Sequence, residues 1–144
     1  MKDQKETFAD VCSEFIGKPY SENGMGPDSY GCLGLCYCFL KRRGKITDES
    51  LWEYNGLTLN NYMDAWNKNP KIDTLLLDAF ERIGENILIK RKIAGDLLIL
   101  KSETGSYFPA IYVGNNNFMS SFFGDGVRIF GLINRITVVS VRRL

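Results

Sequence analysis

Not one of the 144 residues is histidine. Histidine is the side chain whose unperturbed pKa lies closest to neutrality, and nucleophilic hydrolases most often draw their general base from it. Its absence excludes any cysteine–histidine or serine–histidine pair within this chain, and it also removes the imidazole ligands of a typical metal site. No uninterrupted apolar run of about eighteen residues occurs, so no helical membrane span is expected. The amino-terminal MKDQKETFAD lacks an apolar stretch of signal-peptide length, so a cytoplasmic location is expected. Charge is nearly balanced, 18 Lys plus Arg against 17 Asp plus Glu, for a net +1. No strong overall field exists to recruit nucleic acid or an anionic membrane. The two basic clusters, Lys41-Arg42-Arg43 and Lys90-Arg91-Lys92, are short and read as solvated ends of elements.

What is present describes an ordinary globular chain: 44% apolar, 24% charged and 12% aromatic residues, enough to build one core. A single domain over residues 1–144 is expected. Phe8, Val11, Cys12, Phe15 and Ile16 recur at helical spacing and predict an amphipathic helix within residues 4–17, closed by Gly17. The next stretch, KPYSENGMGPDSYG, is rich in turn formers and predicts an ordered loop. GCLGLCYCFLKRRG is then apolar nearly all round before turning basic, which predicts a buried helix from Cys32 that stops at Gly44. Further on, Asp48 can cap SLWEY, and IDTLLLDAFERI reads as a helix after Pro70 and Lys71. From residue 87 the segments ILIKR, GDLLILK, AIYV, NFMSSFF, VRIFGLI and ITVVSVRRL predict strands, separated by turns such as Asn115-Asn116-Asn117 and Gly124-Asp125-Gly126. Helices first and strands afterwards argue an α+β fold, with the cysteine-bearing helix packed on a carboxyl-terminal antiparallel sheet.

Four blocks, in order, carry a resemblance: Gly17-Lys18-Pro19-Tyr20 with its glycine-rich loop, Gly31-Cys32-Leu33-Gly34-Leu35, Gly95-Asp96-Leu97-Leu98-Ile99-Leu100, and Phe108-Pro109-Ala110-Ile111-Tyr112-Val113-Gly114-Asn115. Phe118-Met119-Ser120 and Gly126-Val127-Arg128-Ile129 continue the match. In this order the chain resembles the NlpC-type family of papain-like cell-wall cysteine peptidases. The resemblance implies a papain-like fold without a cofactor, in which a cysteine at a helix start attacks a peptide carbonyl, a histidine serves as base and acid, and a third polar residue orients it. It places the nucleophile at Cys32, the histidine position at Phe108 and the orienting position at Ser120. It also places substrate-holding groups at Tyr20, Gly31 and Leu33. Tyr20 is retained, whereas Gly31 and Leu33 stand where the family carries Asp and Ser.

A thiol at a helix amino terminus feels the unpaired N–H groups, which favours thiolate. Amide cleavage also needs a proton delivered to the leaving nitrogen, and loss of a positioned acid–base group costs ~10²–10⁴ in rate. Phe108 supplies none; Tyr107, Asp125 or a lysine would have to substitute. The expected function is therefore that of a catalytically inactive relative of the peptidoglycan endopeptidases, a binding or structural module whose partner is a muropeptide or another phage or cell-wall protein. The long segment between the cysteine helix and Gly95 resembles that of phage tail-associated members, which implies a virion-associated location as the alternative to a cytoplasmic one. Two alternatives stand beside it: an active thiol hydrolase or peptidase using Cys32 with a non-histidine base, and an interaction domain whose old groove is filled by Phe108 and Leu33. Cys32 also has a plain reading as a small buried hydrophobe, like Cys36 and Cys38. A metal site is not expected, because at ~100° per residue Cys38 is turned about 200° from Cys36 on a helix.

Overall fold

The computed structural model describes residues 6–46, 78–133 and 135–144. Among the described residues, helices α1 (Phe8–Ser13) and α2 (Cys32–Arg42) precede the strands β1 (Glu85–Asn86), β2 (Leu97–Lys101), β3 (Tyr107–Gly114), β4 (Asn117–Phe122), β5 (Gly126–Gly131) and β6 (Thr137–Arg143). The strands form one sheet in the order β1-β6-β2-β3-β4-β5, and every pairing is antiparallel. The fold is α+β, as the segregation of helical and strand periodicities predicts. Among the described residues no helix is long and apolar enough to cross a membrane.

The amino-terminal helix is shorter than its apolar stripe. Thr7 and Asp10 close a capping box that fixes the start, and a turn through Phe15 and Ile16 replaces the last predicted helical residues. The predicted helix through IDTLLLDAFERI is helical at residues 78–80; its earlier part, and the SLWEY segment behind Asp48, lie outside the described residues. ILIKR is not a strand. Ile89–Arg91 form one 3₁₀ turn, and the sheet takes only Glu85 and Asn86 as a short edge strand beside β6. Strand propensity lost there because three consecutive basic side chains have no apolar face to pair with. In the other direction β3 begins at Tyr107, three residues before AIYV, and runs through Pro109. Proline costs a strand one ladder donor, so its sequence reads as a break; pairing with β2 nevertheless continues through Ile99↔Pro109 and Leu100↔Phe108.

Both faces of the sheet are packed. Leu97, Ile99, Ile111, Met119 and Val127 meet the buried face of α2, where Leu35, Cys36 and Phe39 are fully enclosed. Leu98, Leu100, Ala110, Phe118 and Val141 form a second cluster on the opposite face, joined by Phe108, Phe122 and Phe130. The uninterrupted LLIL of β2 follows from this: a strand enclosed on both faces needs no polar alternation. The Gly-Asp pair ahead of β2 has a structural cause as well. Gly95 holds φ +102°, and the buried Asp96 carboxylate accepts from the Ile93 N–H at 2.9 Å and from both arms of Arg143 at 2.8 Å, tying the strand's start to β6.

The loop of residues 17–31 is ordered against the first turn of α2. Gly31 N–H donates to the Gly24 carbonyl at 3.0 Å, Ser21 N–H to the Tyr30 carbonyl at 3.2 Å, and the Ser21 and Ser29 hydroxyls lie 2.6 Å apart. Gly34 makes this fit possible, since a Cβ there would sit 2.0 Å from the Gly24 carbonyl oxygen. Gly34→Ala is expected to destabilise the fold by about 1–3 kcal/mol, read from the urea midpoint, because helix and loop backbone must separate to admit one methyl group.

Candidate functional site

Cys32 is the first residue of α2, behind an N-cap, Gly31, whose backbone is extended and which provides no side-chain cap. Unlike Cys36, which is fully buried, Cys32 is partly exposed. It opens into a cleft of about 420 Å³ walled by Tyr20, Tyr107, Phe108, Phe122, Phe123 and Ile136. The cleft lies at the end of the sheet: Tyr107 packs with the helix-side core and Phe108 with the opposite cluster, and both reach it. Among the described residues its polar groups are hydroxyls and the thiol, with Ser102, Ser106 and Ser121 beside the two tyrosines; none of its lining residues is charged.

Of the residues singled out in the sequence, the structure brings Cys32, Tyr20 and Phe108 together at this cleft. Tyr20 and the thiol are electrostatically coupled. The Tyr20 phenol is held above its ordinary pKa, first by burial and then by negative charge on Cys32 and Glu22. It therefore remains a neutral hydrogen-bonding group, a poorer proton donor than a group titrating near neutrality. Phe108 is anchored by rings, 5.4 Å from Phe122 and 6.1 Å from Phe118, and those two flank Phe130 at 5.0 and 5.6 Å. Such pairs are worth about 0.5–1.5 kcal/mol each beyond area burial.

Ser120 lies between Phe118 and Phe122 on the same face of β4, fully buried, and its Oγ has no hydrogen-bond partner. It shares that face with Phe108 but does not line the cleft. Leu33 is 8% exposed and packs in the helix-side core, so it neither lines nor fills the groove; the cleft is open, with Phe108 in its wall. Gly31 is buried under the loop, where a Cβ would already stand 3.1 Å from the Ser21 carbonyl oxygen. Asp125 lies on the far side of Tyr20 and Phe123, in a second groove. Cys38 donates to the Met25 carbonyl at 3.3 Å. Sequence reasoning missed Ser121, whose hydroxyl donates to the Tyr30 carbonyl at 2.7 Å beside Gly31 and Cys32. Strand alternation signals that Ser120 and Ser121 face opposite ways, and only the second faces the helix. Ile136 and Ser102 reach the cleft from distant connections and carry no local signal.

The model of the NlpC/P60 family matches residues 17–137, most of the chain and all of the cleft. The chain belongs to the NlpC/P60 family. Among solved structures it is similar to NlpC1 of Trichomonas vaginalis, with a TM-score of 0.66 and 19% identity over 96% of this chain and 43% of that one. It is similar to the NlpC/P60 domain of the peptidoglycan hydrolase SagA, with a TM-score of 0.60 and 21% identity over 95% of this chain and 96% of that one. An NlpC/P60 protein of Bacillus cereus gives 0.58 and 20% over 95% and 40%. This chain thus spans less than half the length of the Trichomonas and Bacillus proteins. A comparison with curated proteins finds no match.

Two outcomes follow for the side chains of this NlpC/P60 fold. Burial raises the Cys12 thiol to about 11 against a smaller opposing effect of Arg43, and burial also holds the Cys36 thiol well above its ordinary value. Alkylation requires thiolate, so at pH 8 only about one Cys12 in a thousand is reactive. Iodoacetamide followed by peptide mass spectrometry should label Cys32 ahead of Cys12 and Cys36, with Cys12 labelling rising about tenfold per pH unit up to about pH 11. Ser120→Ala should raise stability by about 1 kcal/mol in urea unfolding, because it removes a buried hydroxyl that has no partner.

Proposed function

We propose that this NlpC/P60 domain is a non-catalytic relative of the peptidoglycan endopeptidases, and that it uses the cleft beside Cys32 to bind rather than to cleave. The observation that carries the reading is Phe108. The position to which the resemblance assigns the histidine holds a phenyl ring in contact with Phe118 and Phe122, and the chain contains no histidine. A phenyl ring neither accepts the thiol proton nor returns one to a departing amine. Tyr20, the polar neighbour coupled to Cys32, is moved away from neutrality rather than toward it. The positions of substrate-holding groups support the same reading: Gly31 is closed under the loop and Leu33 is in the core. The proposed setting is cell-wall or phage-tail assembly, with a wall component or another tail or wall protein as partner; the long segment between α2 and Gly95 supports the tail comparison.

A second reading has one observation in its favour. Cys32 is partly exposed at a helix start and faces an open cleft, the placement expected of a reactive thiol. That reading is a thiol hydrolase working with a non-histidine base. Chromatographic analysis of purified muropeptides incubated with the protein separates the two. The proposal expects no product above that of Cys32→Ala, whereas turnover abolished by Cys32→Ala establishes the hydrolase.

A further inference from the structure

The cleft beside Cys32 carries one unmatched charge at its rim. Lys101 ends β2 and pairs in register with Tyr107 of β3, so the two side chains stand side by side on the α2 face of the sheet. Its exposed ammonium group lies 5.6 Å from the centroid of the Tyr107 ring, which is one wall of the cleft. Among the described residues no carboxylate pairs with it. The other charges near the mouth have opposite neighbours. Beyond Ser102 and Ile136, Glu103 meets Arg135 at 3.6 Å. Past Tyr20 and Phe123, Glu22 and Asp125 share the adjoining groove with Lys18, and Arg128 donates to the Asp125 backbone carbonyl at 2.9 Å.

The walls offer a peptide few partners. Ser102 Oγ lies 2.9 Å from Thr104 Oγ1 and accepts from the Ser106 N–H at 3.2 Å, while Ser121 Oγ donates to the Tyr30 carbonyl at 2.7 Å. Both of these hydroxyls at the cleft are therefore engaged within the protein. Each amide group brought among the rings would give up water for little return, and this holds for a wall stem peptide and for a protein segment alike. An alkyl or aryl group gains on entry, since its apolar area leaves water against Tyr20, Tyr107, Phe108, Phe122 and Ile136. Phe123, 87% exposed and 6.0 Å from Tyr20, stands at the lip and leaves further apolar area for an occupant to cover. A volume of about 420 Å³ is within the range of small-molecule sites.

We propose that the cleft binds a small amphipathic acid, a single carboxylate on an alkyl or arylalkyl chain, with the chain among the aromatic walls and the carboxylate against Lys101 at the rim. This rests on the reading of the cleft as a binding site and names the class of its ligand: a small molecule rather than a peptide. Burial of the chain supplies most of the affinity. The ion pair, exposed at the rim, contributes modestly and fixes which end of the ligand enters first.

Occupancy is read from Cys32. Its alkylation by iodoacetamide is followed by peptide mass spectrometry at low salt, with octanoate, octanamide, acetate or a purified muropeptide titrated in. Octanoate should protect Cys32 at a concentration about three- to fivefold lower than octanamide, a margin that closes in high salt. Acetate, with the same charge and no chain, should be weaker than octanoate by roughly fiftyfold or more. Lys101→Gln should abolish the advantage of octanoate over octanamide without changing protection by octanamide, and Lys101→Arg should retain it. Slow labelling of Cys12 and Cys36 in both variants shows that the fold is intact. Equal protection by octanoate and octanamide, an advantage that survives Lys101→Gln, stronger protection by the muropeptide, or no protection by octanoate overturns the proposal. None of these outcomes touches the non-catalytic reading, which fails only if the muropeptide is cleaved.

Discussion

The contact between Gly34 and the Gly24 carbonyl governs the functional end of this molecule. It lets the backbone of the 17–31 loop lie directly on the first turn of α2, at a separation no other residue at 34 would allow. Everything around the thiol depends on that seat. The loop then carries Tyr20 to the cleft, the Gly24 carbonyl accepts from Gly31, and the Tyr30 carbonyl is held from the other side by Ser121 of β4. Loop, helix and sheet are thereby fixed to one another at the point where Cys32 emerges.

The residues that maintain the scaffold are different from those to which the resemblance assigns the chemistry. The scaffold is maintained by glycines, by the Asp96–Arg143 pair and by a sheet packed on both faces. None of these groups handles protons for the thiol. Phe108, the position to which the resemblance assigns the histidine, packs against the second core cluster, where its ring contributes to the packing. Ser120, on the same face of the sheet as Phe108, is a fully buried hydroxyl with no hydrogen-bond partner.

The fold was largely legible in the sequence because it is written in periodicity. Strand alternation and the apolar run from Cys32 define the sheet and its helix, and the Asn115-Asn116 turn appears as residues with φ of 51° and 61°. What failed were places where local preference and tertiary contact disagree. Ile87–Arg91 has strand-forming aliphatics but too much charge to join the ladder, and Pro109 enters a central strand because its neighbours enforce the pairing. At the site, the assigned positions of Cys32, Tyr20 and Phe108 converge on one cleft, while Leu33 does not, since helix geometry turns it into the core. Ser121 and Ile136 were not legible. Their place at the cleft depends on which face of β4 meets α2 and on how the chain returns before β6, neither of which a linear pattern records.

The central claim is that the chain offers Cys32 no imidazole to act as its acid and base, and the pH dependence of its reactivity tests this most directly. In a cysteine–histidine pair the thiolate is sustained over several pH units below the titration of the free thiol, giving an alkylation rate with two inflections and an acidic plateau. For this protein, the rate of Cys32 alkylation by iodoacetamide should fall tenfold per pH unit on the acid side of a single inflection. A second inflection with a reactive plateau near pH 5–6 would show that another group does the work of the histidine, and would contradict the account.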